Sequence, residues 1–94
     1  MSKSILQAEK CCYITGTTYN LHRHHIYAGG RRKISEREGF WVWLTGALHN
    51  QSNEGVHCKN GHALDLKLKQ DCQRKYEATH SREEFMAIIG KSYL

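Results

Sequence analysis

Proline is absent from the chain, and neither an internal repeat nor a low-complexity tract interrupts it. Nothing therefore marks a linker, and residues 1–94 read as a single domain with a core over about 11–77 and a polar lead-in at 1–10. Also missing is any apolar run approaching the roughly 20 residues of a membrane span. The opening residues, Met1-Ser2-Lys3-Ser4-Ile5-Leu6, lack the apolar stretch of a signal peptide. Cysteine is present only four times, and Cys11 and Cys12 are adjacent, so they cannot easily cross-link each other and no disulfide framework is legible. The expectation is a cytoplasmic, reducing setting without a membrane partner, in which the thiols are free or on metal.

What remains is short. A chain of 94 residues with 39% hydrophobic content has little core in reserve. Chains of this size commonly draw on a metal, disulfides or a partner subunit, and seven histidines make metal the first candidate. The net charge is +5 with histidines neutral, and Arg23, Arg31, Arg32, Lys33 and Arg37 lie close together, opposed locally by Glu36 and Glu38. Such a patch favours polyanions, and its place beside the histidines favours nucleic acid over a merely solvated surface.

The element pattern is mixed α and β. Leu21 to Tyr27 reads as a strand, ended by Gly29-Gly30, after which Ser35-Glu36-Arg37-Glu38 forms one helical turn within a basic loop. Phe40-Trp41-Val42-Trp43-Leu44 is too short for a stable helix and rich in strand formers. Its alternation puts Phe40, Val42 and Leu44 on a core face and the two indoles on the other, where packing is favoured over base stacking. Ala47-Leu48-His49-Asn50-Gln51 begins a short helix that Gly55 stops. From about 61 to 79, Leu64, Leu68, Cys72 and Tyr76 recur every four residues as the buried stripe of a longer helix. Ser81 followed by Glu84 signals a capping box for a terminal helix over 81–90, ended by Gly90.

Three histidines fall within the four residues His22-Arg23-His24-His25. An imidazole needs partners for both nitrogens, and a divalent ion supplies one. His49, where the second strand yields to a helix, and His57, just past Gly55, can both return toward the end of the first strand. Ligands from a hairpin and a following helix would leave one side of an ion open, as a catalytic site requires.

The run His24-His25-Ile26-Tyr27-Ala28-Gly29-Gly30, with Trp43-Leu44-Thr45-Gly46-Ala47-Leu48-His49-Asn50, resembles the HNH endonucleases, and most nearly the phage recombination-enhancement (Ref) type, over roughly residues 11–77. The resemblance implies an α+β fold built on a small ββα-metal finger: a β-hairpin, a short metal-site helix and one or two additional C-terminal helices. It implies a metal-dependent hydrolase that cuts DNA phosphodiesters with low sequence specificity, in a phage or prophage setting. His25 becomes the general base, a task suited to imidazole as a class, whose unperturbed pKa is about 6.5. His24, His49 and His57 become ligands of one divalent ion, with Asn50 as alternative to His49. Mg2+ or Mn2+ would serve in function, and Zn2+, Ni2+ or Co2+ could be the ion held on purification. Arg23, Arg31, Arg32, Lys33 and Arg37 would hold the backbone of DNA, and a recombination or replication protein would be a further partner. His22 shares the face of His24, where it could bind phosphate or support the metal shell, although a structural or solvent-facing role is favoured; His62 and His80 read more firmly as structural or solvent-facing.

The sequence departs from that family in two places. The structural zinc held by paired Cys-x-x-Cys motifs in many members has lost its ligands, with Thr15, Thr45 and Leu48 at three of the four places and only Cys12 retained. A structural zinc is therefore not expected there, and a Cys11, Cys12, Cys58 and His62 set is the weaker alternative. Gly39 or Phe40 stands where the motif's middle Asn normally orients the base. A catalytically weak or inactive, metal-stabilised module that binds DNA or a recombinase is the competing reading.

Overall fold

The structure, a computed structural model, describes residues 3–51 and 61–94. It is an α+β arrangement of one antiparallel hairpin and three helices. Strand β1, Leu21–His25, pairs with β2, Trp41–Thr45, so that His25 faces Trp41, His24 faces Val42 and Arg23 faces Trp43. Between them a 3-10 turn at Gly29–Arg31 leads into helix α1, Arg32–Glu38, which is longer than the single turn expected. Ser35 explains the extension. Its hydroxyl donates to the Tyr27 carbonyl at 2.7 Å and accepts from the Tyr27 N–H at 3.1 Å, while its own carbonyl receives the Phe40 N–H at 2.8 Å. One small buried residue thus ties the helix to both ends of the hairpin connection. It also explains why β1 stops at His25 rather than running on to Tyr27.

After β2 the chain enters a wide helical turn at Ala47–Gln51 of the π type. Helix α2 spans His62–Glu77 and α3 spans Arg82–Ile89. The capping box of α3 is present in full, with the Ser81 hydroxyl accepting from the Glu84 N–H and the Glu84 carboxylate accepting from the Ser81 N–H. Gly90 takes the left-handed conformation that ends it. Expected stops at Gly55 and the region holding His57 and Cys58 lie outside the described residues. Among the described residues no helix is long and apolar enough to cross a membrane.

Alternation along the strands decides where the core sits. Phe40, Val42 and Leu44 are fully buried on one side of β2, joined by Ile26, Leu68 and Cys72 of α2, and Phe85 and Ile89 of α3. Tyr27, Phe40, Tyr76 and Phe85 meet with ring centroids 5.5 to 5.9 Å apart along the Tyr27–Phe40, Tyr27–Phe85, Phe40–Tyr76 and Tyr76–Phe85 contacts. The stripe of Leu64, Leu68, Cys72 and Tyr76 does face this core, Leu68 and Cys72 completely. Buried Gln73 ties down the C-terminal segment, donating to Ser92 Oγ at 3.0 Å and accepting the Tyr93 N–H at 2.8 Å.

The lead-in is not detached. Residues 3–10 lie along β2, where Ser4 Oγ donates to the Trp41 carbonyl at 2.5 Å, the Trp43 N–H donates to Gln7 Oε1 at 2.8 Å, and the Ile5 N–H donates to the Gly39 carbonyl at 3.0 Å. The Tyr13 N–H donates to the Trp43 carbonyl at 2.8 Å. Groups on the outer edge of β2 that would otherwise template a foreign strand are thus occupied by the chain's own residues.

Two outcomes follow for stability. Phe85→Ala removes a fully buried ring in contact with three other aromatics and should cost about 3–5 kcal/mol in urea unfolding. Burial, with Asp71 adding to it against the Tyr27 hydrogen bond, pushes the Cys72 thiol up to about 12; burial and the neighbouring Asp71 carboxylate push the Tyr13 hydroxyl up to about 12. A raised folded pKa gives stability that is complete below the unfolded value and lost as pH rises toward the folded one. The urea midpoint should therefore begin to fall near pH 9 and drop further toward pH 12, with a shallower early slope in Cys72→Ala.

Candidate metal and phosphodiester site

Along the core-facing side of β1, Ile26, His24 and His22 form one row by the two-residue period of the strand. Ile26 is in the core, His24 is 2% exposed, and His22 is half-buried at the end. The helical turn after β2 carries His49 back over this row. His49 Nδ1 lies 2.9 Å from His22 Nδ1, and its ring centroid is 5.0 Å from that of His22 and 5.5 Å from that of His24. Three imidazoles from two parts of the chain therefore converge.

The 2.9 Å contact is a hydrogen bond in which one Nδ1 carries the proton and the other offers its lone pair. Two nitrogens bound at 2.0 to 2.1 Å to one tetrahedral ion would stand about 3.3 Å apart. Replacing the shared proton by an ion thus needs only a few tenths of an ångström of movement, and the donor set is of the type transition metals prefer. Among the described residues no group of three His, Cys, Asp or Glu side chains is already set to hold an ion. His57, the expected third ligand, lies outside the described residues, as does the Asn50 side chain.

Odd-numbered residues of β1 face the other way. Arg23 donates to both oxygens of Glu36 on α1, at 2.9 and 3.2 Å, and His25 Nε2 lies 3.6 Å from Glu36 Oε1. Arg23, His25, Ala28, Gly29, Arg32 and His49 surround a cavity of about 390 Å³. His25 stands at the end of β1, where both sides of the hairpin become accessible from this cavity. Two bases of different setting thus meet at one opening: His49, backed by His22 and His24, and His25, backed by Glu36.

The basic residues singled out in the sequence divide. Arg23 and Arg32 line the cavity. Arg31 turns away, its guanidinium donating to the Ile89 carbonyl at the end of α3, a favourable place for a cation at a helix C-terminus. Arg37 pairs with its neighbour Glu38 at 2.9 Å, and Lys33 is exposed on α1. His80 stacks on Tyr76 with centroids 4.0 Å apart, and His62 is exposed at the start of α2. Of the alternative cysteine set, Cys12 is buried, Cys11 is half-buried and Cys58 lies outside the described residues.

Two contributors have contacts that the sequence did not favour. For His22 a structural or solvent-facing role is favoured only slightly over support of the shell, and it is the hydrogen-bond partner of His49. The His-x-His spacing carries that signal, since residues two apart share a strand face. Glu36 read only as a local counter-charge to the basic loop, and no local signal shows that α1 would carry it to both Arg23 and His25.

The His22–His49 contact has a direct spectroscopic consequence. Nitrogen NMR of the metal-free protein at neutral pH should find one of these two rings protonated at Nδ1 and the other bare there. Identical tautomers in both rings would show that the contact does not form in solution.

Comparison of the chain with protein-family models, with curated proteins and with solved structures finds no match.

Proposed function

We propose that the chain is a metal-dependent endonuclease of the HNH type, its hairpin and the turn carrying His49 forming a ββα-metal finger that hydrolyses DNA phosphodiesters. The observation that carries this reading is the double role of His49: it contacts His22 and His24 on one side and lines the cavity of His25, Arg23 and Arg32 on the other. An ion held through His49 would thus share one opening with His25, Arg23 and Arg32.

In this reading His24 and His49 would hold the ion with His57, and His22, hydrogen-bonded to His49, would position that ligand. A divalent ion there would offset the negative charge that develops on the phosphate and the leaving 3′ oxygen. His25 takes the proton of the attacking water, a role worth about 10²- to 10⁴-fold. Glu36, 3.6 Å from His25 Nε2 and held by Arg23, is beyond hydrogen-bond distance but places a negative charge beside the base, which would favour the imidazolium formed as His25 takes the proton. Arg23 and Arg32 position the phosphate, and such contacts carry no sequence information. The product would bear a 5′ phosphate, and cleavage would weaken as salt rises.

A supercoiled-plasmid nicking assay with Mg2+, Mn2+, Ni2+ or Co2+ tests this. The wild-type protein should nick with at least one ion, His25→Ala should lose about 10²- to 10⁴-fold in rate, and His24→Ala should lose ion binding measured by calorimetry. Equal inactivity of wild type and His25→Ala with every ion, with DNA binding intact, would instead establish a non-catalytic binding module.

A further inference from the structure

On the opposite face of the hairpin from the histidine row lies a second and larger cavity, about 630 Å³, between residues 3–10 and the indoles of β2. That volume falls within the roughly 300–1,000 Å³ of ligand clefts. Arg23, Trp41, Trp43 and, from α2, Lys75 complete its lining. The two indoles meet edge to face with centroids 5.5 Å apart. They are not equivalent. Trp41 is 6% exposed and covered by the Arg23 guanidinium 3.9 Å from its ring, whereas Trp43 is only partly buried.

The Trp43 indole packs edge to face on Trp41 and lies 5.4 Å from the Arg23 guanidinium, but it stands outside the hydrophobic core and is only partly buried. The hydrophobic core is on the other side of β2, and the N-terminal segment is held by the Trp43 backbone, through Gln7 and Tyr13, rather than by its ring. Over that ring sits the Lys10 ammonium, 4.7 Å from the centroid. Lys10 stands over the indole, and Lys3 and Lys75 line the same cavity with a single carboxylate, Glu9, while Arg23 is already matched by Glu36. A π surface ringed by flexible cations suits a ligand that is both planar and anionic.

We propose that this groove binds single-stranded nucleic acid, one unpaired base stacking on Trp43 and the flanking phosphates pairing with Lys3, Lys10 and Lys75. Stacking on aromatic side chains within a positive groove is the general mode of sequence-tolerant strand binding. Lys10 occupies the indole face in the free protein. When a base arrives, the ammonium moves from the ring to that nucleotide's phosphate, exchanging a cation–π contact for an ion pair. An acidic peptide satisfies the lysines but leaves the indole unused, which is why a nucleotide is the better match.

Arg23 lines this groove and the cavity of His25 as well. A strand seated on Trp43 therefore continues past Arg23 toward His25. That register rests on the nuclease reading above; the binding itself does not, and it is measured without any ion.

The test uses the full chain in chelator at low salt, with a short oligothymidylate added and indole fluorescence followed. Quenching on binding is expected, with affinity lowered about 5- to 100-fold in Trp43→Ala and largely kept in Trp43→Phe. An oligonucleotide of the same length with abasic residues tests wild type alone and should bind more weakly by a similar factor, so the inference is falsifiable even if Trp43→Ala does not fold. Equal binding of the abasic strand, of inorganic polyphosphate or of polyglutamate would overturn it, showing a charge surface only. Nicking is scored separately: stacking without nicking in any ion defeats the catalytic reading alone, and nicking without base-dependent binding defeats this one alone.

Discussion

Burial of Phe40, Val42 and Leu44 against α2 and α3 is the constraint from which the rest of the molecule follows. A two-stranded hairpin has only two faces, and residues alternate between them without exception. Once the even positions of β2 are committed to the core, antiparallel pairing sends His22 and His24 to the same side and Arg23 and His25 to the other. A slip of one residue would exchange the two sets, placing the charged guanidinium in the core and the histidine row in solvent. The apolar contacts therefore fix which imidazoles converge.

Polar ties then hold the small core at its margins. Ser35 joins α1 to the hairpin connection, Gln73 joins α2 to the C-terminal segment, and Ser4 and Gln7 join the N-terminal segment to β2. Each satisfies backbone groups that a short chain cannot surround with regular structure. The same ties shape the two candidate sites: Ser35 holds the helix that brings Glu36 to Arg23 and His25, and Gln7 holds the wall of the indole groove. Support and site are built from the same few contacts because a chain of this size has no separate scaffold.

Charge is sorted as closely as burial. Of five basic residues near the hairpin, Arg31 is taken by the end of α3 and Arg37 by Glu38, while Arg23 and Arg32 reach the cavity. Composition alone treats these as one patch. Their separation comes from their places on different elements, Arg23 on β1, Arg31 in the 3-10 turn, and Arg32 and Arg37 on α1, where 3.6 residues per turn spread side chains around the axis.

What the sequence determined by itself was whatever depends on short spacing. Strand alternation, the four-residue stripe of α2, the Ser81–Glu84 capping box and the shared face of His22 and His24 are all local consequences of backbone geometry. The His24–His25 pair and His49 were legible as a candidate site for the same reason, each lying next to a recognisable strand end. Only the tertiary structure decided which of these meet. The 2.9 Å contact of His22 with His49 depends on how the chain leaves β2, the approach of Glu36 to His25 depends on the angle of α1, and the groove over Trp43 depends on residues 3–10 folding back on a strand more than 30 positions away. Contacts between distant segments are set by the packing of whole elements, and no local pattern encodes that packing.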